Sequence, residues 1–191
     1  MNKTDSFSSL EGKFILAMPS IPDKRFQESV ILLCTHTKNT GAMGVIINTP
    51  HPTMTLFDLM TELHIESEEK FQNSSVYIGG PERINSGYII HSNDYISPAS
   101  SMINTHISMA LTQEILYDIS LGKGPLHSMI TFGCCSWSTG QLEEEMLKNN
   151  WIVLDYNHNL MFEIPYEKKW QYGLSLLEIE PCLLSNSYGR A

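Results

Sequence analysis

Short, nearly unbroken apolar runs punctuate this chain, separated by polar stretches rich in Gly, Pro, Ser and Asn. "KFILAM" from Lys13 and "SVILLCTH" from Ser29 are two such runs, joined by the Pro-punctuated "PSIPDKRFQE". Apolar runs of this length between turn formers predict strands, and the lack of period-two alternation predicts burial on both faces. "GAMGVIINTP" from Gly41 predicts a third strand, its two glycines marking a tight turn at its entry. "VYIGGP", "SGYIIH", "LHSMITFG" and "WIVLDY" extend the set, and the weak alternation of "MINTHISMA" predicts one more strand.

Helical spacing interrupts this pattern at several places. Leu56, Leu59, Met60 and Leu63 recur at i, i+3, i+4 and i+7, behind a capping box of Thr55 and Asp58. Leu111, Ile115 and Ile119 mark one face of a second helix, stopped by "GKGP". Ser138 and Gln141 read as another capping box, with Glu143, Glu144 and Glu145 complementing the helix dipole and Asn149-Asn150 as the stop. From Ile164 the chain reads as helical or irregular, with Trp170, Leu174 and Leu177 returning to the core. The elements do not alternate as in a doubly wound fold, so the class is α+β or a complex mixed sheet.

A length of 191 residues suits one domain, 12–191, preceded by a polar and loose segment, 1–11. With 12 Lys and Arg against 21 Asp and Glu, the net charge of −9 argues against adhesion to nucleic acid or anionic membrane. The apolar run Phe14 to Met18 is too short for a signal-peptide core, and no stretch approaches the roughly 20 residues of a membrane helix. A cytoplasmic protein is expected. Cysteines at 34, 134, 135 and 182 match neither a disulfide framework nor a zinc pair, which leaves the sequons at Asn2 and Asn73 as chance matches.

Candidate chemistry is sparse. Cys134 and Cys135 sit where a strand is expected to hand over to a helix, a place that activates thiols. "GCCSW" nonetheless lacks the glycine frame of a nucleophile elbow, and adjacent cysteines do not readily share one metal ion. Burial as small hydrophobes is the better reading. Gly79-Gly80-Pro81 lacks the GxGxxG spacing and reads as a turn. The seven histidines form no HxxxH or HxH pair; His36 and His91 close apolar strands and are either satisfied rim residues or site residues. Neither a metal nor a cofactor is implied.

Five motifs recur in order: Ala17-Met18-Pro19, the Phe26 connection, Gly41-Ala42-Met43-Gly44 through Asn48 and Pro50, Gly79-Gly80-Pro81, and Trp137 through Gly140-Gln141-Leu142-Glu143 to Trp151. In these the chain resembles the AlgH/YqgE family of bacterial proteins, from about Gly12 to Ala191. The resemblance implies an α+β fold with a mostly antiparallel, bifurcated sheet curled into a pseudo-barrel with flanking helices. It carries a label of transcriptional regulator that rests on association with alginate control rather than on a DNA-binding module. Family members usually hold a non-cysteine, often Tyr then Ala, where this chain has Cys134 and Cys135, so a shared mechanism does not use these thiols.

The resulting expectation is a non-enzymatic regulatory or adaptor protein that engages a protein partner. Its expected binding surface comprises Asn48, Gly79, Gly80, Pro81, Trp137, Gly140 and Gln141. An alternative is a small-molecule binder or enzyme, with His36, His91 and Asn48 converging on a cleft near the Gly79-Gly80-Pro81 turn. Direct DNA binding is the third reading, disfavoured by the acidic chain and the absence of a recognition motif.

Overall fold

The computed structural model describes residues 8–179. Strands β1 (Phe14–Ala17), β2 (Val30–Thr37) and β3 (Gly41–Ile46) form an antiparallel meander where the apolar runs predict it. Strands β4 (Pro50–Thr55), β5 (Ser75–Ile78), β6 (Glu82–Ser92), β7 (Ser100–Met102), β8 (Ile107–Ala110), β9 (Ser128–Trp137) and β10 (Trp151–Leu154) complete the set. The main sheet runs β10-β1-β2-β3-β9-β6-β8-β7.

The sheet forks at β9. One edge of that strand is shared, with β5 parallel to its first half (Tyr77 opposite Thr131) and β3 antiparallel to its last (Gly44 opposite Cys135). The other edge belongs to β6. This gives the expected α+β architecture, a mostly antiparallel sheet curled into a half-barrel with helices around it.

Burial on both faces follows the pleat. Phe14, Leu16, Leu32, Val45 and Cys134 enter one core, closed by Leu160, Met161, Trp170 and Leu174. Their chain neighbours Ile15, Ala17, Ile31, Leu33, Ile46 and Cys135 enter a second core, covered by Leu142, Trp137 and Trp151. A third packs Ile89 and Ile130 beneath helices α1 (Leu56–Glu62) and α2 (Glu114–Ser120). Helices α3 (Gln141–Leu147) and α4 (Lys169–Leu176) serve the second and first cores, and the Trp170 indole N–H donates to the Ala17 carbonyl at 2.8 Å.

Several local expectations are corrected. "MINTHISMA" spans the last residue of β7, a turn and β8, the turn made where Asn104 Oδ1 accepts the backbone N–H groups of His106 and Ile107. Strand β4 carries no apolar run in the sequence, where Pro50 and Pro52 interrupt it; among the described residues it pairs with β5 alone, and edge strands are where proline is tolerated. Leu111 lies before α2 and is 63% exposed, so it does not belong to that helix's buried face. The cysteines lie inside β9, which hands over to α3 only after Trp137.

The box read at Ser138 is half formed. Ser138 N–H donates to Gln141 Oε1 at 3.0 Å, but the residue before the helix is Gly140, at φ +78° and without a side-chain cap. The Thr55–Asp58 box is complete. Residues 1–7 of the segment expected to be loose, and Cys182, lie outside the described residues. Ser9 and Leu10, by contrast, are tied to His36. Among the described residues no helix is long and apolar enough to cross a membrane.

Candidate functional site

The end of β9, the start of β10, α3 and the 19–28 connection enclose a cleft of about 320 Å³. Its shape comes from three aromatic rings. Trp151 meets Trp137 edge-on at 5.9 Å and Phe26 edge-on at 5.8 Å, distances typical of T-shaped pairs. Both tryptophans point their indole N–H groups at one carboxylate on α3: Glu145 Oε2 accepts from Trp151 at 2.7 Å and from Trp137 at 3.0 Å. Its Oε1 accepts from Gln141 Nε2 at 3.0 Å. Burying two indole donors requires such an acceptor, so Glu145 fixes α3 against the sheet.

The mouth of the cleft is charged. The 3-10 turn Lys24–Phe26 is capped by Asp23, whose carboxylate also holds the Arg25 guanidinium in a fork with a shortest contact of 2.6 Å. The Arg25 side-chain and backbone hydrogen bonds hold the Asp23 carboxyl below its usual range, and the same pair raises Arg25. The guanidinium also rests 5.8 Å from the Phe26 ring centre. Across the cleft, the Ser136 hydroxyl donates to Glu82 Oε2. Three carboxylates, Asp23, Glu82 and Glu145, therefore line the cleft with one guanidinium.

Of the residues singled out in the sequence, the fold brings Pro81, Trp137 and Gln141 together on this cleft. Gly140 precedes Gln141 on an open turn. Gly79 and Gly80 are explained by packing: a Cβ on either would lie 2.3 Å from backbone atoms of Gly133 or Cys134. Asn48 is a clip, its Oδ1 accepting from Val30 N–H and its Nδ2 donating to Glu28 O, both at 2.9 Å.

The two histidines are separated and satisfied. His36, 3% exposed, accepts from Leu10 N–H through Nδ1 at 2.9 Å, so Nε2 is the donor to Glu143 at 3.0 Å. His91 is fully buried; Nδ1 donates to the Ser92 carbonyl at 3.0 Å and Nε2 accepts from Ser100 Oγ at 2.8 Å. The larger cavities include neither histidine nor Asn48. Both cysteine side chains are buried, and burial pushes the Cys135 thiol well above its ordinary value, which disfavours thiolate chemistry.

Asp23, Arg25, Glu82 and Glu145 were not singled out for this site. Their only signal was proximity to motif residues, since each gains its role from chain-distant neighbours. A second cavity, about 640 Å³ and mostly apolar, opens between α1, α2 and the residues after Pro81. It is lined by Leu59, Leu63, Leu116, Ile89 and Phe132, with Arg83 and Thr112 among its polar residues.

Comparison with known proteins places this geometry in a family. Residues 14–182 match the AlgH-like family model. A UPF0301 protein of Jannaschia sp. is 36% identical over the full length of both chains. Another, from Pseudoalteromonas translucida, is 33% identical over 96% of this chain and 99% of its own. The solution structure of the AlgH protein from Pseudomonas aeruginosa superposes with a TM-score of 0.78 at 28% identity, over all of both chains. A crystal structure of a Corynebacterium diphtheriae protein shares the fold, with a TM-score of 0.74 at 18% identity over 97% of this chain and 95% of its own. By family model, full-length relatives and fold together, the chain belongs to the AlgH-like family.

Proposed function

We propose that this protein is a non-enzymatic regulatory or adaptor protein whose aromatic cleft receives a basic segment of a protein partner. The observation that supports it is the charge balance of the cleft, three carboxylates to one guanidinium around a wall of Trp and Phe. Such a wall suits a lysine or arginine side chain, which gains cation–π contact and a carboxylate partner together. The overall charge of −9 would steer a basic partner toward the molecule and oppose direct contact with DNA. In the cleft the Cys135 thiol is buried and Glu145 is committed to its three donors, which favours a binding role for both.

Charge reversal at the exposed Glu82 tests this reading. Trp137 is unsuitable, because it is 5% exposed and truncating a buried tryptophan costs about 3–5 kcal/mol of stability. Affinity capture from the native cell extract with intact bait is expected to retain one stoichiometric protein, lost from the folded Glu82→Lys variant. Equal capture by the variant would overturn the site.

A second reading has its own observation. The 640 Å³ cavity lies within the range of small-molecule sites, and the Thr112 hydroxyl on its lining is buried without a hydrogen-bond partner. A column that captures nothing, with an apolar small molecule raising the melting temperature, would move the function there.

A further inference from the structure

Three donor atoms from distant parts of the chain meet at a place that shares no residue with the aromatic cleft. Nδ1 of His127, Nε2 of His158 and a carboxylate oxygen of Glu163 all lie within 4.8 Å of one another. The Glu163 oxygen stands 3.5 Å from the first nitrogen and 3.9 Å from the second. Those gaps are longer than good hydrogen bonds. They are close to the edge of roughly 3.4 Å expected between ligands around a tetrahedral zinc ion with bonds of about 2.0–2.1 Å. Among the described residues, neither ring is engaged in another hydrogen bond.

The carriers of these groups are held in place. His127 N–H donates to Ser92 Oγ at 3.1 Å and its carbonyl accepts from Ser92 N–H at 3.0 Å, which ties the start of β9 to the end of β6. His158 and Glu163 bracket a π-helical turn, Asn159–Glu163, a widened geometry that recurs at functional sites. That turn is clasped from beneath by Lys169, 1% exposed, whose ammonium donates to the carbonyls of Leu160 and Met161. Phe162 backs both imidazoles, its ring centre 5.3 Å from each. A donor set oriented by a supporting shell requires little rearrangement to take an ion.

We propose that His127, His158 and Glu163 form a binding site for a divalent first-row transition metal of the zinc class. Two imidazoles and one carboxylate favour zinc and its neighbours over magnesium or calcium, which prefer all-oxygen shells. The side chains are about half exposed, so water completes the coordination sphere and leaves a position open to an added ligand. The site joins β9 to the segment after β10, so metal uptake braces two parts of the half-barrel.

The test uses the full-length chain, free of any affinity tag and stripped of metal. Calorimetric titration with zinc chloride is expected to show one equivalent bound with micromolar affinity or better. The melting temperature should rise by several degrees at a hundredfold excess over Kd, while millimolar magnesium has no effect. His158→Ala and Glu163→Gln should each weaken zinc binding at least tenfold, in metal-free chains that still unfold cooperatively. Cobalt substitution gives a second readout, a visible absorption that vanishes in both variants. No zinc uptake at millimolar concentration, or equal uptake by both folded variants, overturns the proposal.

Discussion

A Cβ placed on Gly80 would sit 2.3 Å from both the carbonyl carbon and oxygen of Cys134, a separation that no side chain tolerates. Backbone atoms cannot yield as a flexible side chain can, so the strand itself must move. Gly80→Ala is expected to lose on the order of 3 kcal/mol, read as a lowered denaturant midpoint with an unchanged slope. This explains why Gly79-Gly80-Pro81 stands out in the sequence without being a ligand loop: Gly79 N–H donates to Phe132 O and its carbonyl accepts from Ile46 N–H, splicing three strands. The motif was legible; its purpose was not, because the strand it touches lies about fifty positions away. Glu145 shows the same limit. In the sequence it is one of three consecutive glutamates on a helix, and only folding aims two indole N–H groups at it.

Among the elements, α1 is the case where local chemistry and structure agree fully. Thr55 Oγ1 accepts from Asp58 N–H at 3.2 Å and Asp58 Oδ2 accepts from Thr55 N–H at 2.8 Å. Thr55→Ala should cost about 1 kcal/mol, measured by chemical denaturation, since the helix loses its cap while its buried Leu56, Leu59 and Met60 remain. At α3 the same kind of reading named the right helix but the wrong cap. Ser138 and Gln141 have the right spacing, yet the turn at Gly140 intervenes and only one of the two reciprocal bonds forms. Strands buried on both faces were the easiest to read, and β4, with two prolines and no buried residue, was invisible. The cluster of His127, His158 and Glu163 gave no spacing signal, because β10 and the turn that follows it lie between its members.

For the whole molecule, stability against pH carries the mark of Lys169. Burial lowers its ammonium to about 8, opposed by the Glu163 carboxylate. At pH 7 the group is protonated in both folded and unfolded chains, and its burial penalty is fully present. As pH rises from about 8 toward the ordinary lysine range, the folded chain releases its proton first while the unfolded chain still holds it, so this group adds stability across that window. The buried thiols of Cys34 and Cys135 act in the opposite sense, because burial keeps them protonated while the unfolded chain ionises. The measurement is therefore a difference: the stability of wild type minus that of Lys169→Met should increase between pH 8 and pH 10. A flat difference would show that Lys169 titrates as an ordinary lysine. The substitution itself should destabilise at pH 7, because it leaves the carbonyls of Leu160 and Met161 without their donor.

The fork at β9 also governs how this chain is made. Strand β3 is ready early, but its partner across the Met43–Ser136 pairing lies roughly ninety positions later. At synthesis rates of about 5–20 residues per second, roughly 5–20 s pass before that partner leaves the ribosome. Through that interval the edge of β3 from Ala42 to Gly44, which β9 will pair with, stays open, and contacts so distant in sequence also form slowly once both strands are present. Nascent chains halted before residue 137 should therefore be the species that general chaperones hold, and release of β9 should be the event that frees them.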